Sequence, residues 1–162
     1  MFGRRKRTLL AAGGQAPAFQ LASLSGGDQS LQQILARGPV LLAFFKISCP
    51  VCQLTAPYLE RLSRNSAVQV IGISQDDPSV TRGFLERFGV EFPVLLDPAR
   101  DGYPASNAFG ICSVPSLFLV EPGGVISRAF YGFSKRDFEE IGSRAGVSPF
   151  GPEDHVPEWK AG

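Results

Sequence analysis

Cys49 and Cys52 stand one helical turn apart in FFKISCPVC (residues 44–52), directly after an apolar run. Thiols at this spacing can exchange disulfides, hold a soft metal ion, or fill core space. Three cysteines in 162 residues do not make a disulfide-rich secreted scaffold, and the odd one, Cys112, is left outside any single bridge. A close pair without a framework therefore points to redox or metal chemistry. The single histidine, His155, lies far along the chain.

The elements around the pair discriminate between these chemistries. Val40–Phe45 is a continuous apolar run, as expected of a strand buried on both faces and central in a sheet. Residues 50–63 suit a helix, with Pro50 in the first turn, where its missing N–H is harmless, and Pro57 inside, where it should kink the helix. Cys49 thus sits where a strand turns into a helix. The unpaired N–H groups and positive dipole end there stabilise a thiolate, the species that attacks disulfides. Cys52, one turn in, falls on the same face and can close a ring with Cys49. Lys46 either adds positive charge or is simply solvated.

The rest of the chain alternates in the same way. Before the apolar run come a short extended piece around Phe19–Leu21, a Gly26–Gly27 turn, and a helical turn with Leu31, Ile34 and Leu35 on one face, together a leading strand or hairpin and a short helix. After the CPVC helix, residues 68–74 read as a second buried strand. An amphipathic helix follows with Pro78 in its first turn, Asp76 or Asp77 as cap and Gly89 as stop. Residues 92–96 give a short strand and 106–109 a helical turn. Residues 117–120 and 125–131 form a hairpin, and a helix over 134–145 is capped by Ser134 with Phe138 and Ile141 inward. Strand, helix, strand, helix implies an α/β fold with parallel βαβ pairing.

In order and spacing, the apolar strand before SCPVC, Pro57 in the following helix, and Val114–Pro115 leading into SLFLV resemble the thioredoxin-like superfamily. The nearest branch is that of TlpA/ResA-like thiol-disulfide oxidoreductases, related to the redoxins and AhpC/TSA proteins. The resemblance implies a thioredoxin-like mixed sheet of four or five strands flanked by helices, with an N-terminal extension and a βα insertion at about residues 76–97. It also implies a cis Pro115 whose loop, with Val114, pairs with an extended substrate. Cys49 would be the nucleophile and Cys52 the resolving thiol, with no prosthetic group and with electrons from a partner dithiol. The expected substrates are protein or small-molecule disulfides, the expected direction reduction, and the expected state a monomer.

The sequence also departs from that family's pattern. Ser48 replaces the usual Trp before the first cysteine, and Ala43 falls where classical thioredoxins bury an acid. No carboxylate is assigned as general base, and Glu60 reads as a surface residue. Cys112, near Pro115, is either an auxiliary thiol or, more commonly, a small buried hydrophobe. A peroxiredoxin-like thiol peroxidase is the nearest rival, but Lys46 stands where that family carries a Thr or Ser before its reactive cysteine. Copper or zinc binding by Cys49, Cys52, Cys112 and His155 is a further alternative, weakened by the scattered second pair. A non-catalytic scaffold is disfavoured by the retained cysteine pair.

Bulk properties narrow the classes further. With 44% hydrophobic residues and a net charge of +1, one domain with a full core is expected and no global field favours nucleic acid. The organisation reads as a flexible basic arm (1–14), a thioredoxin-like domain (15–146), and an irregular tail (147–162) whose Phe150 and Trp159 pack back or meet a partner. The opening MFGRRKRTLLAAGG has too short an apolar stretch for a secretory signal, so a cytoplasmic protein without stable membrane insertion is expected. A signal removed upstream would place it in the periplasm or tethered to a membrane.

Overall fold

Two apolar clusters, one on each face of a central sheet, follow directly from the alternation of side chains along Val40–Phe45. In the computed structural model, which describes residues 8–65 and 67–162, this strand (β3) is buried at every position. Leu41, Ala43 and Phe45 face one cluster; Val40, Leu42 and Phe44 face the other. Pairing is parallel to Gln69–Ser74 (β4) on one side and antiparallel to Ser116–Val120 (β6) on the other. Being central, β3 needs no polar face, which is why its sequence is apolar throughout.

The hairpin Gln20–Ser23 (β1) and Asp28–Ser30 (β2), the strand Val94–Leu96 (β5) and the strand Ile126–Tyr131 (β7) complete the sheet in the order β2-β1-β5-β4-β3-β6-β7. The sheet is therefore seven-stranded rather than four- or five-stranded. The difference arises because β5, within the expected insertion, pairs parallel with β4 and antiparallel with β1, which carries the leading hairpin onto the same sheet.

The helices are Leu31–Leu35 (α1), Pro50–Ser63 (α2), Pro78–Phe88 (α3), Pro104–Ala108 (α4) and Lys135–Ala145 (α5). Cys52, Ala56, Leu59 and Leu62 of α2 join Phe84 of α3 and Phe138 and Ile141 of α5 on one face. Ile34 of α1, Ala105 of α4 and the adjoining Phe109 cover the other. Local signals match the expected punctuation: Ser30 makes a capping box with Gln33, Ser134 accepts from the Asp137 amide, and Gly89 ends α3 in the left-handed region at φ 65°. Asp77 occupies the N-cap of α3 without a side-chain bond.

Both end segments differ from expectation. Residues 1–7, including the basic cluster, lie outside the described residues. Residues 8–14 do not hang free, since the Leu10 amide donates to Phe109 O at 3.2 Å, the Gly13 amide donates to Ile126 O at 2.8 Å, and Leu9 and Leu10 pack on the core. The tail is not wholly irregular either. Trp159–Lys160 (β9) pairs antiparallel with Phe133–Ser134 (β8), and Phe150 packs on Tyr58, Phe133 and Phe138.

One buried carboxylate fixes the segment that leads into Val114–Pro115. Asp97, fully buried, accepts from the amides of Ala105 (2.9 Å) and Ser106 (2.7 Å) and from the Ser106 hydroxyl (2.6 Å). An amide in its place offers one acceptor oxygen and turns an N–H toward a donor. Asp97→Asn should therefore cost about 1–3 kcal/mol of stability, read from urea denaturation of the parent and the variant; an unchanged midpoint would show that the cap is replaceable.

Candidate active site

Cys49 is the N-cap of α2, with extended backbone (φ −83°, ψ 116°) and Pro50 following in the first turn. Its sulfur accepts the Cys52 amide at 3.2 Å, using a donor that a helix start always leaves unpaired. The approach to the site is braced from three directions. The Cys49 amide donates to Lys46 O, the Gln53 side-chain amide to Ile47 O at 3.0 Å, and the Ile47 amide to an Asp76 carboxylate oxygen at 2.8 Å. Pro57 lies inside α2, which continues through it as one helix.

The two thiols occupy different environments. Cys49 is half-buried and reachable, whereas Cys52 is 1% exposed within the α2 face of the core. Burial pushes the Cys52 thiol far above the ordinary thiol range, aided by its hydrogen bond to the Cys49 sulfur and by negative charge at Cys49 and Asp76. The Lys46 backbone acts in the opposite direction.

The Val114–Pro115 bond is cis, and Pro115 immediately precedes β6. Because Ser116 of β6 pairs with Phe44 near the end of β3, the loop is delivered beside the CPVC turn. The Cys49 thiol donates to Val114 O at 3.3 Å. Pro115 O in turn accepts the Gly132 amide at 2.8 Å, and the Ser116 hydroxyl donates to Ser113 O. Cys49, Cys52, Val114 and Pro115 are thus brought together.

The auxiliary residues are placed next to this group. Lys46 and Cys112 line a cleft of about 280 Å³ with Gln75, Tyr103, Ser106 and Val114, and neither Cys49 nor Cys52 contributes to its wall. Lys46 holds its ammonium 5.9 Å from the Tyr103 ring centroid. Cys112 is exposed, with its thiol donating to Gly110 O, so the buried-hydrophobe reading does not hold. Among the described residues no group of three or more His, Cys, Asp or Glu is arranged to hold a metal ion, and His155 is exposed in the tail.

Two carboxylates behave otherwise than the sequence implied. Glu60 is buried, not superficial, and accepts the amides of Glu91 and Phe92; eight residues along α2 from Cys52, it is about 12 Å away and braces the turn before β5. Asp76, expected only as a cap, instead ties β4 to the CPVC approach and acts on Cys52. The signal for it was its position just past the carboxyl end of a strand adjacent to β3, where sites of open α/β sheets gather. Asp76→Asn keeps an acceptor for Ile47 but removes the charge. Cys52 should then ionise at lower pH and be alkylated faster at a fixed alkaline pH in a Cys112→Ser background; an unchanged rate would show that the Asp76 charge is not felt.

The AhpC/TSA family matches residues 12–129. The thiol-disulfide oxidoreductase ResA of Halalkalibacterium halodurans is 31% identical over 130 residues, covering 78% of this chain and 72% of that protein. A Mycobacterium tuberculosis protein named as a peroxiredoxin is 32% identical over 138 residues, covering 78% and 88%. A solved structure described as the thiol:disulfide interchange protein DsbE of Chlorobium tepidum superposes with a TM-score of 0.71 at 23% identity, covering 85% of this chain and 96% of that one, a likeness of fold alone. With the CPVC turn at a helix N-terminus and the cis-proline loop beside it, the chain belongs to the AhpC/TSA family as a TlpA/ResA-like thiol-disulfide oxidoreductase of the thioredoxin fold.

Proposed function

We propose that the protein reduces disulfides in polypeptide substrates, with Cys49 as attacking thiolate and Cys52 as resolving thiol. The observation that carries this division of labour is the asymmetry of the pair. Cys49 presents a half-buried sulfur to a helix amide and to Val114 O, while Cys52 is sealed behind it and held as a thiol. Cys49 thiolate attacks one substrate sulfur, the substrate S–S bond breaks, and the departing sulfur takes a proton. Cys52 then loses its proton and attacks the Cys49 sulfur, closing a Cys49–Cys52 disulfide and releasing the second substrate thiol. Two electrons pass from the dithiol to the substrate, and a partner dithiol restores them.

The redox direction is decided by the potential of the pair, since a strongly oxidising dithiol is one whose reduced form is stabilised. The backbone around Val114 and Pro115 supplies the edge against which a peptide would lie. A glutathione-poised cytoplasm would keep such a pair reduced; among the described residues no helix is long and apolar enough to cross a membrane. The peroxidase alternative has less support, since Lys46, three residues before Cys49, turns its ammonium to the Tyr103 ring.

Cys49→Ser should abolish turnover of disulfide-bonded insulin, and Cys52→Ser should accumulate a mixed disulfide at Cys49 visible by mass spectrometry. Turnover surviving the first change would remove Cys49 as nucleophile. Because the Cys52 pKa is raised, its thiolate fraction is small at neutral pH and grows roughly tenfold per pH unit. Release of substrate from the mixed disulfide should therefore still accelerate above about pH 8.5, the ordinary thiol value. A plateau below that pH, seen by rapid-quench alkylation, would contradict the assignment. The reduction potential should fall nearer about −270 mV than about −120 mV.

A further inference from the structure

The tail returns to the site it follows in sequence. Arg61 clamps the turn at Asp154 with a bidentate pair and also donates to Pro149 O at 3.0 Å, directing the chain back along the domain. The Lys135 amide donates to Glu158 O at 3.0 Å, and β9 then pairs with β8, with Ser134 opposite Trp159 and Phe133 opposite Lys160. The Trp159 indole N–H donates to Tyr131 O at 3.3 Å, and its ring meets Tyr131 edge-on at 5.8 Å.

The next residues cross the docking edge itself. Lys160 O lies so close to Gly132 that a Cβ there would stand 2.3 Å from it. A Cβ on Gly162 would stand 1.9 Å from Val114 O and 3.0 Å from Pro115 Cδ. Val114 O is the acceptor of the Cys49 thiol, and Pro115 O is bonded to the Gly132 amide. The segment therefore pairs with β8 and then sets Gly162 against the Val114–Pro115 backbone that an extended peptide would use. Its contacts are few and solvent-facing: residues 158–162 are all exposed, Trp159 is 51% exposed, and the 3.5 Å Lys135–Glu158 pair is a surface one.

We propose that residues 158–162, anchored on β8, determine substrate specificity by covering the Val114–Pro115 peptide-docking backbone with Gly162. The inference rests on the exchange chemistry proposed above. A small disulfide needs only the Cys49 sulfur and meets no side chain at Gly162, so it reacts past the segment. A polypeptide disulfide needs the edge as well and must displace the segment, so its apparent affinity falls by the fraction of molecules in which the edge is open. A polypeptide adding its backbone to that edge, in the manner of strand addition, meets the backbone of Gly162 whatever its own side chains.

The test uses two probes, hydroxyethyl disulfide and a ten-residue peptide carrying one cysteine as a mixed disulfide. Each is reacted with the Cys52→Ser protein, and mass spectrometry verifies the adduct. Trp159 is the only tryptophan, so its emission reports the segment; a red shift is expected for the peptide adduct and none for the hydroxyethyl adduct. In steady state, deleting residues 158–162 should raise kcat/KM for insulin about tenfold while changing that for hydroxyethyl disulfide less than about twofold. Gly162→Val, which drives a side chain into Val114 O, should act in the same direction. A peptide adduct with unshifted emission, or a truncation that leaves the ratio of the two substrates unchanged, overturns the specificity role while leaving exchange intact. Failure of both probes to form an adduct at Cys49 overturns the exchange chemistry and this inference with it.

Discussion

The hydrogen bonds around the Cys49 sulfur are the point to which the rest of the structure is fitted. One neighbour, the Cys52 amide, belongs to the helix that Cys49 caps; the other, Val114 O, comes from a distant part of the chain. They meet only because β3 is flanked by β4 and β6 in a fixed register, with Phe44 opposite Ser116 and Phe45 beside Ser74. That register is enforced by the two apolar clusters. A one-residue slip of β6 would exchange Leu117 and Leu119 for Phe118 and Val120 between the faces, setting large side chains against the wrong helices. The site is thus a product of core packing, with its chemistry placed in the loops just beyond the strands.

What could be read from the sequence was whatever is encoded locally. The six apolar residues of β3, Pro50 at the start of α2 and Gly89 after α3 each act through their own backbone or their immediate neighbours, and each element formed where its pattern lay. The cysteine pair was legible for the same reason, as its spacing and its strand-to-helix context are both local. The cis bond before Pro115 was expected from resemblance rather than from the residues.

Residues decided by distant partners were not legible. Glu60 sits on an amphipathic helix like any surface acid, and only the turn at Glu91–Phe92 makes it a buried acceptor. The short extended pieces around Phe19–Leu21 and 92–96 were legible, but not their membership of one wide sheet, which rests on β1, β2 and β5 pairing with one another and with β4. Cys112 looked like a core residue by type, yet it is exposed in the loop before Pro115, its thiol on Gly110 O. The tail, rich in proline and glycine, forms its two-residue strand because Phe133–Ser134 offers an unpaired edge.

The electrostatics of the pair also order the two steps of exchange in time. Negative charge at Cys49 and the hydrogen bond between the two sulfurs both hold Cys52 as a thiol. Bonded in a mixed disulfide, the Cys49 sulfur can carry no charge and accepts hydrogen bonds more weakly, so both influences fade at the moment the second attack is needed. Burial remains, and it keeps Cys52 from reacting with disulfides in solution. Chemistry at the neighbour thus removes the smaller obstacles to ionising Cys52 and leaves the largest, burial, in place. Coupling of this kind requires the sulfurs to stay in contact through the first step, which the N-cap position of Cys49 and the sealed position of Cys52 together provide.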